Sequence, residues 1–94
     1  RIWYFGNGGN PKLFLGSPDW MRRNLYRRIE AVTPILDPDA KQELIDMLSI
    51  QLSDKRKACF VDENLHNCWK SAHPLKEKVR SQYTFYEYLK EKIE

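Results

Sequence analysis

Ile2-Trp3-Tyr4-Phe5-Gly6-Asn7-Gly8-Gly9-Asn10-Pro11-Lys12-Leu13-Phe14-Leu15-Gly16 runs from one apolar segment through a turn into a second apolar segment. Residues 6–11 are almost pure turn chemistry, since Gly and Asn tolerate positive φ and Pro cannot donate to a sheet ladder. The pattern predicts two antiparallel strands, 2–5 and 12–16, joined by a loop. The glycines are no phosphate loop of the Walker type, because that lysine pattern is missing and no helix follows directly.

Beyond Gly16 the chain changes character. Pro18 disfavours a regular central strand, so 17–27 reads as irregular with at most one helical turn. Residues 28–33 alternate roughly polar and apolar and predict a third strand, closed by Pro34. Asp37 then offers an N-cap, Pro38 fits the first helical position, and Asp39 complements the helix dipole. Leu44, Leu48 and Leu52 recur every four residues, with Ile45 and Met47 beside them, predicting a buried stripe on a helix to about 53. Residues 57–61 predict a fourth short strand, 62–74 a polar loop, and 75–92 a second helix. The stripe of that helix is Leu75, Val79, Tyr83, Tyr86, Leu89 and Ile93, with Lys90 and Lys92 in water. The expected fold class is therefore α+β, an antiparallel or mixed sheet of about four short strands with two helices.

The chain has 94 residues, 41% hydrophobic, 13% aromatic and 31% charged, which suits one small domain and is too apolar for disorder. No apolar run approaches the roughly 18 residues of a membrane span, and no signal peptide is evident. The chain opens on Arg1, already beside a strand, which suggests an excised part of something longer. The formal net charge of +3 is unevenly spread. Residues 1–28 hold Arg1, Lys12, Arg22, Arg23, Arg27 and Arg28 against Asp19, whereas 37–54 hold Asp37, Asp39, Glu43, Asp46 and Asp54 against Lys41. A cationic front beside an acidic helix points to a localised anion site.

The residues best suited to chemistry are Gly16-Ser17-Pro18-Asp19-Trp20-Met21-Arg22-Arg23-Asn24 and the arginines up to Arg28. A small residue and a hydroxyl at a strand end leave room for a ligand, and guanidinium forks match phosphate oxygens. A solvated turn whose arginines pair with Glu30 and the acidic helix accounts for the same charges, and charge alone leaves both readings open. Trp3, Trp20 and Trp69 could stack on bases, but aromatics in a domain this small chiefly supply core area. Cys59, His66, Cys68 and His73 fit no tight zinc spacing, and the thiols read as reduced. His66 and His73 have no carboxylate partner identifiable from sequence, and no nucleophile-base set is present.

The run Phe5 to Asn24 is similar to a signature of polyphosphate kinases. So are Arg27-Arg28-Ile29-Glu30-Ala31-Val32-Thr33-Pro34-Ile35-Leu36-Asp37-Pro38 and Lys55-Arg56-Lys57-Ala58, and more loosely Lys78-Val79-Arg80-Ser81-Gln82. The resemblance implies that residues 1–94 form the C-terminal portion of the last of two phospholipase D-like domains in a four-domain enzyme. It implies reversible transfer of the terminal phosphate of ATP to inorganic polyphosphate through a phosphohistidine. Magnesium accompanies the nucleotide, and the enzyme is a homo-oligomer in the cytoplasm or loosely on the membrane. ATP, ADP, polyphosphate and the remaining domains are the expected partners, and nucleic acid is not. The family's second histidine precedes the arginine matching Arg1 by two residues, so no catalytic residue and no cofactor are expected within this chain. Arg23, Asn24 and Arg28, with Ser17, Asp19 and Arg1, are the expected phosphate-binding set, and no metal ligand is expected. The phospholipase D pattern departs here: Gly6 falls near its aspartate, and Gly16-Ser17-Pro18-Asp19 carries Asp in place of Asn. Two other readings remain: a polyanion or nucleic-acid binding module, and half of a phospholipase D-like hydrolase.

Overall fold

The computed structural model describes residues 1–66, 68–69 and 79–93. Its elements are β1 (Ile2–Phe5), β2 (Lys12–Gly16), α1 (Arg22–Tyr26), β3 (Val32–Pro34), α2 (Pro38–Ser53), β4 (Cys59–Phe60), β5 (Cys68–Trp69) and α3 (Ser81–Ile93). The α+β class holds. The strands fall into two antiparallel sheets, β1-β2-β3 and β4-β5, so the expected sheet of about four strands is replaced by a three-stranded sheet and a separate ribbon. The contacts divide the chain into two compact units, Arg1–Glu43 and Leu44–Glu94, with the boundary inside α2.

In the first unit the loop at 6–11 closes as expected. Asn7–Gly9 forms one 3₁₀ turn, and Asn7, Gly8 and Gly9 all take positive φ (47°, 62° and 94°), which an asparagine and two glycines tolerate. Asn7 Nδ2 ties the turn by donating to the Asn10 carbonyl at 3.1 Å. The register pairs Trp3 with Phe14 and Tyr4 with Leu13. On the other side of β2, Phe14 faces Pro34 and Gly16 faces Val32. Pro34 is tolerated because β3 is an edge strand. Strand alternation places Trp3, Phe5, Phe14 and Val32 on one face and Leu13 on the other. Leu13, at 2% exposure, is the one fully buried hydrophobic side chain among the described residues. Gly16 is a steric requirement: a Cβ there would lie 2.9 Å from the Ala31 carbonyl oxygen.

The third strand is shorter than expected, Val32–Pro34 against 28–33, because Arg28 and Glu30 turn toward the concavity described below. The start of α2 matches the sequence signals. Asp37 caps it by accepting from the Ala40 amide at 2.8 Å, and Pro38 is its first residue.

In the second unit the Leu44, Leu48 and Leu52 stripe is only partly realised. Leu44 and Leu48 are half-buried, whereas Leu52 is 77% exposed in the last turn. Helix α3 also departs from its expected face. Tyr83, Tyr86, Leu89 and Ile93 are exposed, and Ser81, Thr84, Phe85 and Tyr88 are the half-buried set. These four follow the 3.6 period equally well, so periodicity alone did not choose between the two faces. Tyr88 Oη donates to Asp46 Oδ2 at 2.7 Å, tying α3 to α2. That bond, followed by desolvation, raises the phenol above its ordinary value. Leu75, expected at the start of the last helix, lies outside the described residues. Strand β5 occupies part of the stretch expected to be a polar loop.

A buried carboxylate joins the end of α2 to the start of α3. Asp54 Oδ1 accepts from the Arg56 and Lys57 amides at 2.9 and 2.8 Å. Its Oδ2 accepts from the Ser81 amide and hydroxyl, both at 2.8 Å. Burial pushes the carboxyl up, but these four donors outweigh it and hold the group well below the usual carboxylate range. Asp54 thus supplies the N-cap that Arg80 could not, and the Lys55 amide donates to the Val79 carbonyl at 2.9 Å beside it.

Candidate functional site

The aromatic face of the first sheet forms the floor of a concavity of about 530 Å³. Trp3, Phe5, Phe14 and Val32 come from the strands, Pro18, Asp19 and Trp20 from the loop after β2, and Asn24 and Leu25 from α1. Arg28 and Glu30 close the rim. Phe5 and Phe14 meet edge to face, with centroids 5.9 Å apart, which fixes the floor.

Three of the six expected phosphate residues, Asp19, Asn24 and Arg28, line this concavity together. Arg1 reaches it indirectly, through an ion pair with Asp19, while the Gly16 amide holds the Arg1 carbonyl at 3.1 Å. Ser17 and Arg23 are exposed and are not among its lining residues. Asn24 is buried, and its Nδ2 donates to Glu30 Oε1 at 2.7 Å. This bond fixes the amide orientation, because a flipped amide would set two oxygens against each other. It leaves Oδ1 sealed from solvent without a donor among the described residues. Glu30 is therefore a positioning residue that the sequence reading placed only as an arginine partner. Trp3 and Trp20, two of its aromatic walls, were assigned from sequence chiefly to core area.

Both carboxylates of the concavity are engaged, Asp19 by Arg1 and Glu30 by Asn24. Among the described residues no group of three or more His, Cys, Asp or Glu side chains could hold a metal ion. Cys59 stands opposite Trp69, and Phe60 opposite Cys68. Neighbours on a strand point to opposite faces, so the two thiols are on opposite sides of the ribbon and both are free. His66 does have a carboxylate partner: its Nδ1 lies 3.2 Å from Asp62 Oδ2, on an exposed turn. His73 lies outside the described residues. No helix among the described residues is long and apolar enough to cross a membrane.

Residues 1–82 match the family described as Polyphosphate kinase C-terminal domain 2. The chain is 43% identical over 90 residues to the polyphosphate kinase of Escherichia coli K12, an alignment covering 96% of this chain and 13% of that protein. The polyphosphate kinase of Vibrio cholerae serotype O1 is likewise 43% identical over the same share of each chain. The crystal structure of polyphosphate kinase from Porphyromonas gingivalis is similar with a TM-score of 0.90 and 50% identity, over 98% of this chain and 14% of that one.

Proposed function

Because the chain belongs to the polyphosphate kinase C-terminal domain 2 family, we propose that it works within an enzyme transferring the terminal phosphate of ATP reversibly to inorganic polyphosphate. Its share is to hold phosphate. The observation carrying this reading is the meeting of Arg28 with Asp19 and Asn24 on one aromatic-walled concavity. Arg28 presents a forked cation to phosphate oxygens. Asp19 aims the Arg1 guanidinium beside it, and the Asn24–Glu30 bond fixes the turn that carries Arg28. Ser17 and Arg23, exposed nearby in sequence, add contacts from outside the concavity. In this reading the surrounding fold is phospholipase D-like, and the working enzyme is a homo-oligomer in the cytoplasm or loosely on the membrane.

The chemistry of the phosphohistidine and the metal-bound nucleotide is supplied from outside this chain, and the residues here bind and orient. Two measurements test the proposal. Arg28→Gln should weaken tripolyphosphate binding about tenfold, the factor expected for one charged hydrogen bond, while Lys12→Gln changes it little. Equal binding by Arg28→Gln and the unaltered chain would overturn the site. The chain mixed with ATP, magnesium and polyphosphate should release no ADP and lengthen no polymer, and turnover would refute the binding-only role.

A further inference from the structure

The second unit contains a separate cavity of about 510 Å³, unrelated to the concavity around Arg28. Lys57, Arg80, Gln51, Gln82 and Asp54 line it. Its lining carries two cationic side chains against one carboxylate. Lys57 and Arg80 carry positive charge, and Gln51 and Gln82 bring amides. The one carboxylate, Asp54, already accepts four hydrogen bonds, two on each oxygen. Its single charge is outweighed by the two cations. Arg80 Nε is closed off from solvent and meets no acceptor among the described residues, while the guanidinium rests 4.4 Å from the Tyr83 ring centroid. An unmet arginine donor beside a second cation calls for a ligand that brings acceptors.

The sequence adds an independent pointer. Lys55–Ala58 and Lys78–Gln82 are the two family-like strings that the Arg28 site leaves unused. Their residues Lys57, Ala58, Arg80, Ser81 and Gln82 converge on this cavity, drawn together by Asp54 across 27 residues of chain.

We propose that this cavity is a second oxyanion site, built to hold inorganic phosphate or a terminal phosphate of a linear polyphosphate through Arg80 and Lys57. The ligand draws the guanidinium edge outward from the Tyr83 ring and satisfies Nε together with a terminal nitrogen. Lys57 supplies a point charge from the turn that follows Asp54. The site stands or falls independently of Arg28.

The test follows backbone amide resonances of the chain during titration with inorganic phosphate and, separately, tripolyphosphate, at constant ionic strength. Saturable shifts at Lys57, Ser81 and Gln82 are expected, and they should persist in Arg28→Gln. Arg80→Gln and Lys57→Gln should each weaken them about tenfold. Lys57 is exposed, so its variant keeps the test valid if Arg80→Gln unfolds, which a thermal melt would show. Tighter binding of tripolyphosphate than of phosphate identifies a polymer end, and equal affinity identifies the free ion. Shifts that fail to saturate, that sodium chloride reproduces, or that survive Lys57→Gln unchanged would overturn the proposal.

Discussion

Replacing Asp54 by alanine removes the acceptor of four hydrogen bonds, each 2.8–2.9 Å long, at one point. The Arg56 and Lys57 amides belong to exposed residues and recover water, so their loss is small. The Ser81 amide and hydroxyl are half-buried, and a hydrogen bond to a charged group contributes about 1.5–3 kcal/mol. Asp54→Ala should therefore cost about 3–6 kcal/mol. Asp54→Asn keeps one acceptor oxygen but turns an NH₂ toward donors, and should cost roughly half as much. For a domain of this size each kcal/mol lowers Tm by about 4–8 °C, so the alanine variant should melt at least 12 °C lower. Circular dichroism melts at neutral pH measure this directly. The acid limb gives a second readout. The folded carboxyl lies below its ordinary value of 3.8, so its contribution is fully present above that pH and is lost as pH falls toward the folded value. The unaltered chain should lose stability steeply below about pH 4, and Asp54→Asn should lack part of that loss. An alanine variant within about 0.5 kcal/mol of the parent, or an unchanged acid limb in the asparagine variant, would refute the reasoning.

Gly16→Ala should cost about 1–3 kcal/mol in urea denaturation, since its methyl would meet backbone at 2.9 Å, whereas Gly6→Ala, with nothing within 4 Å, should be close to neutral. Leu48→Ala should destabilise clearly more than Leu52→Ala, because Leu52 is largely exposed, and equal losses would restore the continuous stripe that periodicity suggests. In an ultraviolet alkaline titration Tyr88 should ionise above the other tyrosines, and Asp46→Asn should bring it down toward them, because the charge opposing phenolate formation is gone.

Local chemistry was the most legible part of the sequence. The Gly-Asn loop, the Asp37 cap and the two leading strands depend on residues within a few positions of one another, and they appear where those residues put them. The face of α3 was not legible, because Tyr83-Tyr86-Leu89 and Thr84-Phe85-Tyr88 satisfy the same period and only a distant partner, Asp46, selects the second. Asp54 was read as one more acid on a charged helix. Its role depends on Ser81, 27 positions away, and no local pattern announces it. At the first site, residue types suggested phosphate, and the family strings narrowed the set to Asp19, Asn24 and Arg28 among others. Glu30 was missed as an orienting group because its bond to Asn24 requires the turn between them to be closed first.

Leu13 is the one fully buried hydrophobic side chain among the described residues, and it sits on the strand bonded along both edges. Within the sheet of the first unit, burial is therefore greatest on the central strand, β2. Each amide of β2 bonds to one neighbour only, so those facing β1 exchange when β1 opens and those facing β3 when β3 opens, and the whole strand is bared only when both detach. Trp3, Phe5 and Phe14 are then uncovered by local opening of β1, without loss of the whole unit. The floor of the concavity is accordingly more labile than the strand at its centre.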